Sequence, residues 1–174
     1  MRILSDIGLF LLGLTVALFS ISVARPAGPF ALIQFPVIIL VLAVFFLKEN
    51  KLAALTAGMG IGMDVLSAYP FMTWFVILGG TTFVGWWISK NVLTNRSLPS
   101  LILLGTLMRL AYFILELAFS RLAEVFGGTV WYKIASVNVW GASEAFALEM
   151  LALIIFFFVH VRVRGDHARM LTHV

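Results

Sequence analysis

The sequence predicts an all-α membrane protein, a polytopic bundle of six transmembrane helices in a single domain spanning residues 1–174. Of the 174 residues, 62% are hydrophobic and only 11% are charged, whereas soluble domains average about 45–50% and about 25%. The apolar residues form continuous runs, unlike the alternating segments of about 10 residues in membrane β-barrels. A soluble chain of this composition would expose large apolar patches, so we expect lipid to cover much of its surface.

Six apolar runs approach the length of about 20 residues that a membrane-spanning helix needs. The predicted spans are residues 4–24, 30–47, 52–68, 71–89, 98–120 and 142–161. The first run follows Met1-Arg2 as a signal peptide would, but its length and the further spans predict that it is retained. The third run is short and rich in glycine, so a partly re-entrant segment is the alternative there.

The long connection at residues 122–140 allows two interpretations. Its apolar and aromatic residues, among them Phe126, Val130 and Trp131, favour a short helix lying in the membrane interface. An ordinary flexible loop explains the same composition equally well. The sequence leaves both open.

The basic residues divide unequally between the two sides of a six-span bundle. One side holds eight Lys and Arg residues and the other holds three, while Arg109 falls inside the fifth span. Because basic loops stay in the cytoplasm, both termini are predicted to be cytoplasmic. The net charge of +4 is therefore attributed to topology, and no nucleic-acid partner is expected.

Four charged residues stand out within the predicted spans: Asp64, Arg109, Glu116 and Glu149. Each such charge costs at least about 2.5–3.5 kcal/mol at the centre of a spanning helix, so these side chains should face protein or water. The rise of an α-helix places Asp64, Arg109 and Glu149 at similar depth, with Glu116 nearer the outer surface. We hypothesise that Arg109 pairs with one or both of Asp64 and Glu149.

The fifth span carries a polar face. Its members recur at helical spacing and fall within an arc of about 80°; they are Gly105, Arg109, Tyr112, Glu116 and Ser120. Three interpretations remain open for this face: an internal network that holds the bundle together, the lining of a ligand site, or a contact with a partner's transmembrane helix.

Glycines in the third and fifth spans predict close helix packing. Gly58 and Gly62 are four residues apart, a spacing that lets the backbones of two membrane helices approach closely. Gly105 is predicted to serve the same purpose in the fifth span. The run around Gly58 lacks the lysine and the preceding strand of a phosphate-binding loop.

The sequence contains no constellation typical of catalysis. It has no cysteine, its three histidines all lie near the C-terminus, and it shows neither a Ser–His pair nor an HExxH motif. We therefore predict a non-enzymatic protein with no cofactor and no metal site. A proton or ion pathway along the intramembrane acids is a minor alternative.

Residues 57–72, which read AGMGIGMDVLSAYPFM, resemble the bacterial rod-shape membrane protein family MreD. In that family a glycine-rich span runs into an aspartate, followed by small and hydrophobic residues and a turn. The residues in those places here are Gly58, Gly62, Asp64, Ser67 and Pro70. The family often has a glycine near the position of Met72, so this sequence departs from the pattern there.

The resemblance implies a scaffold of the cell-wall elongation machinery in the bacterial cytoplasmic (inner) membrane. Its expected partners are membrane lipid, a bitopic protein like MreC and a complex of glycosyltransferase and penicillin-binding transpeptidase. The fold is also similar to the substrate-binding S components of energy-coupling-factor vitamin transporters. This similarity gives the alternative function, a subunit that binds a vitamin-like small molecule, with Trp131, Tyr132 and Trp140 as a lid.

Overall fold

The computed structural model describes residues 2–24, 34–67, 72–93, 95, 97–125 and 139–171. Within these ranges the chain forms six α-helices and no strand, so the prediction of an all-α fold is confirmed. The helices are α1 (Arg2–Phe19), α2 (Phe35–Phe46), α3 (Glu49–Leu66), α4 (Thr73–Asn91), α5 (Leu98–Val125) and α6 (Val139–Leu171), and a π-helical turn (Ser20–Ala24) continues α1.

Within the part of the chain that the structure describes, three helices are long and apolar enough to cross a membrane, which agrees with the predicted helical membrane protein. The apolar segments are Leu4–Ser22, Leu98–Leu122 and Ser143–Arg162. Helices α3 and α4 contain 18 and 19 residues. At about 1.5 Å per residue each is close to the thickness of the hydrocarbon core. The number of crossings stays a prediction.

Helix α2 is shorter than the second predicted span. It has 12 residues and begins after Gln34, with a proline in its first turn. Proline suits this position because the first turn of a helix leaves its N–H groups without intrahelical partners. At about 1.5 Å per residue, α2 is too short to cross the bilayer alone. Residues 30–33 of that predicted span lie outside the described ranges.

The short helix α2 lies at the centre of the bundle and contacts all five other helices. Around it, α1 packs on α3, α3 on α4, α4 on α5 and α5 on α6. The core between them contains the fully buried side chains of Leu40, Leu78, Leu104 and Met108. The outer surfaces of the helices are apolar as well, which suits a bundle surrounded by lipid.

Helices α1 and α3 approach closely at small residues. A Cβ atom on Gly13 would lie 2.5 Å from the carbonyl oxygen of Leu55, and one on Gly58 would overlap the carbonyl oxygen of Phe10. A Cβ atom on Gly62 would lie 2.8 Å from the Cβ of Ala17. Each helix thus contributes two small residues, four positions apart, to this contact.

The glycine of the fifth helix faces α6. A Cβ atom on Gly105 would lie 2.7 Å from Cδ1 of Leu153 and 3.2 Å from Cε of Met150. Gly105 therefore lets α5 and α6 approach closely, as predicted.

Most of the predicted connection at residues 122–140, for which the sequence leaves a helix and a loop open, lies outside the described ranges. Residues 126–138 are outside them, and these include the predicted lid residues Trp131 and Tyr132. The side chain of Trp140 lies outside them too.

Candidate functional site: a buried polar cluster

The predicted polar face of α5 is turned toward the inside of the bundle. Gly105, Tyr112 and Ser120 are buried, and Arg109 and Glu116 are half-buried. Residues on the opposite side of the helix, such as Leu110, are exposed. Amphipathic spacing therefore gave the correct orientation of this helix.

Arg109 forms an ion pair with Glu149 of α6. The Nε atom of Arg109 lies 3.3 Å from Oε2 of Glu149, and the two side chains are 22% and 2% exposed. The guanidinium carbon also lies 5.7 Å from the centre of the Tyr112 ring, within the range of a cation–π contact. The hypothesis that Arg109 pairs with an intramembrane acid is confirmed for Glu149.

The second carboxylate oxygen of Glu149 contacts a different helix. Oε1 accepts a hydrogen bond of 2.8 Å from the backbone N–H of Gln34, the residue that precedes α2. The first N–H groups of a helix lack intrahelical acceptors and carry partial positive charge, so a carboxylate is favoured there. Glu149 therefore links α5 and α6 to the start of α2.

Asp64, the other acid that the hypothesis offered, does not pair with Arg109. Its oxygens Oδ1 and Oδ2 accept hydrogen bonds of 2.7 Å and 3.0 Å from the backbone N–H groups of Trp74 and Phe75. Asp64 is 7% exposed and caps the first turn of α4. Helices α3 and α4 pack against each other, and this packing places the start of α4 beside Asp64.

Tyr112 connects these two groups of contacts. Its hydroxyl donates a hydrogen bond of 3.4 Å to Oε1 of Gln34, and its ring is stacked on that of Trp74 at a centroid distance of 6.4 Å. We call Gln34, Asp64, Arg109, Tyr112 and Glu149 the polar cluster. It joins α2, α3, α4, α5 and α6 at one level of the bundle.

Sequence reasoning missed Gln34. The available signal was a polar residue two positions before Pro36 at the start of an apolar run, a pattern typical of a helix N-terminus. The predicted start of the second span at residue 30 obscured it. Glu116, by contrast, was identified and lies half-buried on the same helix face as Tyr112.

Both acids of the polar cluster are bonded to other helices of the bundle. Glu149 and Asp64 each have both carboxylate oxygens engaged by protein groups, so neither presents a vacant base to a substrate. Among the described residues, no three His, Asp or Glu side chains are grouped to hold a metal ion.

Comparisons of the chain with protein-family models, with curated proteins and with solved structures find no match.

Proposed function

We propose that the chain is a non-enzymatic scaffold of the cell-wall elongation machinery, an MreD-like protein that binds a bitopic partner and wall-synthesis enzymes. The observation that carries this proposal is that both acids of the polar cluster are bonded within the protein. The carboxylates of Asp64 and Glu149 hold helix N-termini and an arginine within the bundle. The exposed faces of the long helices offer apolar surface, which suits contact with other transmembrane helices.

The segment that resembles the rod-shape family has a defined structural role, which supports the proposal. Asp64, the aspartate after the glycine-rich run, caps α4. Met72, where the family often has glycine, has a positive φ of 70°, a conformation that glycine adopts without steric cost. Although the residue differs, Met72 adopts the left-handed backbone conformation that a glycine would favour at this position.

The proposed topology has six crossings with both termini in the cytoplasm, and the second crossing comprises residues 30–47 rather than α2 alone. Lys90 near the end of α4 lies 3.4 Å from Glu49 at the start of α3, so these two helix ends share one level of the bundle. Lys48 and Lys51 flank Glu49 in sequence. This lysine-rich end is the one that the distribution of basic residues assigns to the cytoplasm.

The partner helix would bind on the outer surface of α1, α5 or α6. Leu11, Phe113 and Ile155 are each about half exposed on these helices, at 55%, 49% and 55%. Lipid tails are as apolar as leucine, so such contacts depend on shape and packing rather than on the hydrophobic effect. A rigid bundle with fixed helix positions provides a defined surface for such packing.

In vivo photo-crosslinking at these three positions tests the proposal. A photoreactive phenylalanine analogue replaces Leu11, Phe113 or Ile155 in turn, and adducts are identified by mass spectrometry. The proposal expects an adduct with a bitopic wall-synthesis partner, or with the glycosyltransferase or transpeptidase, from one helix and not from the others. Adducts with none of these proteins at any position would contradict it. The analogue at exposed Asn95, outside the helices, is the control for random capture.

A vitamin-binding S component is the second candidate, and one observation favours it. Arg109 keeps 22% of its side chain exposed, and Glu116 is half-buried on the same face of α5, so polar groups reach the surface of the bundle. Native mass spectrometry of the purified protein separates the two functions. A stoichiometric adduct of vitamin size supports the transporter subunit, and its absence supports the scaffold.

A further inference from the structure

An apolar groove separates the outer edges of α3 and α4. Its volume is about 370 Å³, and Leu52, Ala53, Phe75, Gly79 and Phe83 are among its lining residues. Ligand sites in proteins have volumes of about 300–1,000 Å³, so the groove is large enough for a small ligand. It runs along the two helices on the surface of the bundle.

The floor of this groove presents no unsatisfied polar group. The hydroxyl groups of Thr56 and Thr82 are 3.2 Å apart and hydrogen-bonded to each other. Thr56 also lies 2.9 Å from the carbonyl oxygen of Leu52, to which it donates. On the wall formed by α4, a Cβ atom on Gly79 would meet nothing within 4 Å. The groove thus offers open space bounded by apolar surface.

One end of the groove opens into a basic mouth. A second cavity of about 530 Å³ is lined by Lys48, Glu49, Trp86, Ser89 and Lys90, among others. Glu49 and Trp86 line both spaces, so the groove and the mouth are adjacent. The Nζ atom of Lys90 lies 4.9 Å from the centre of the Trp86 ring. A tryptophan beside lysines is typical of the membrane interface.

We propose that the groove and its mouth bind an anionic phospholipid. One acyl chain lies between α3 and α4 against Phe75 and Phe83, and the phosphate group lies at Lys48 and Lys90. The charge of the mouth complements that of the headgroup, because two lysines outweigh the single carboxylate of Glu49. Basic sites between transmembrane helices on the cytoplasmic side recognise anionic headgroups in this way.

The dimensions favour a lipid chain over a protein helix. Helices α3 and α4 contact each other at both ends and in the middle, so the groove is only the furrow between two packed helices. An α-helix with its side chains is about 10–12 Å across and could lie over this furrow but not within it. The proposal depends on the membrane location of the chain and is independent of its role as a scaffold.

Native mass spectrometry of the full chain in detergent tests this inference. The protein is titrated with phosphatidylglycerol or with phosphatidylcholine of the same acyl chains. The wild type should retain one phosphatidylglycerol and prefer it to phosphatidylcholine. Gly79→Leu fills the groove and should weaken retention by at least about tenfold. Gly8→Leu is the matched control, since a Cβ atom on Gly8 also meets nothing within 4 Å, and it should retain the lipid normally.

A second variant keeps the test decisive if Gly79→Leu fails to fold. Ala53 is exposed on the opposite wall of the groove, and Ala53→Leu should weaken retention in the same way. Equal retention by the wild type and the groove variants would overturn the proposal. It would also be overturned if Gly79→Leu converted a dimer into a monomer with unchanged lipid binding, because the groove would then hold a second copy of the chain.

Substitutions of the charged residues in the mouth should change the preference for phosphatidylglycerol in opposite directions. Lys90→Gln should reduce the preference for phosphatidylglycerol, whereas Glu49→Gln should increase it, because the mouth becomes more positive. If Lys90 and Glu49 only served their own ion pair, both substitutions would change retention in the same direction or not at all. That result would overturn the assignment of the headgroup to this mouth.

Discussion

The carboxylate of Glu149 accepts a hydrogen bond of 2.8 Å from the backbone N–H of Gln34, although the two residues are 115 positions apart. Asp64 forms equivalent bonds with the first turn of α4. Neither α2 nor α4 is capped by the side chain of its own N-cap residue. Two helix starts are therefore stabilised by carboxylates from other helices, which gives Asp64 and Glu149 favourable partners inside this membrane protein.

Replacing Arg109 by leucine should destabilise the bundle strongly. The substitution leaves the carboxylate of Glu149, which is 2% exposed, without its cation. Removing one partner of a buried ion pair typically costs about 3–5 kcal/mol. The free energy of unfolding in mixed micelles, measured by titration with a denaturing detergent, should fall by about this amount.

The matched partner substitution is Glu149→Gln, because glutamine keeps an oxygen that can accept the hydrogen bond from Gln34. The Arg109→Leu, Glu149→Gln double variant should be more stable than Arg109→Leu alone, since the glutamine at position 149 carries no charge that needs a cation. Strictly additive losses in this double-mutant cycle would show that the two residues are not energetically coupled.

Asp64→Asn should weaken the cap of α4 by roughly half as much as Asp64→Ala. Asparagine retains one acceptor for the N–H groups of Trp74 and Phe75, and alanine retains none. Loss of an N-cap typically costs about 0.5–2 kcal/mol. Combining either change with Arg109→Leu should give additive losses in unfolding free energy, because Asp64 and Arg109 share no bond. A coupling energy above about 0.5 kcal/mol would argue against this separation.

The sequence was sufficient to predict the helices and the inward face of α5, because the spacing and the length of apolar runs are properties of the local sequence. It also identified the acids, since a charge within an apolar run is conspicuous. It could not assign their partners: Asp64 and Glu149 lie at similar predicted depth, and only the path of the chain decides which helix start each one meets. Gln34 and Gly13 were missed because each matters through a contact with a distant segment.

Gly58→Ala should loosen the contact between α1 and α3. The added methyl group would overlap the carbonyl oxygen of Phe10, which belongs to the backbone of α1, so a whole helix must shift. Overpacking of this kind typically costs about 1–3 kcal/mol. Thermal unfolding in detergent should show a lower midpoint for Gly58→Ala.

The control for this substitution is Gly8→Ala on α1. A Cβ atom there meets nothing within 4 Å, and alanine is the better helix former by about 0.8–1.0 kcal/mol. Its midpoint should equal or exceed that of the wild type. If both glycine variants were destabilised to the same extent, helix packing could not be the reason that Gly58 is required.

Met72→Gly should stabilise the protein. Met72 precedes α4 with φ of 70° and ψ of 4°, in the left-handed region, where an L-residue with a side chain is disfavoured by about 1–2 kcal/mol. Glycine removes this cost but has greater backbone freedom in the unfolded chain, an opposing effect of about 0.4–1 kcal/mol. Since the side chain of Met72 is 51% exposed, little packing is lost. Met72→Ala keeps a Cβ atom and should bring no gain, so a rise in the unfolding midpoint for alanine as large as that for glycine would exclude the backbone explanation.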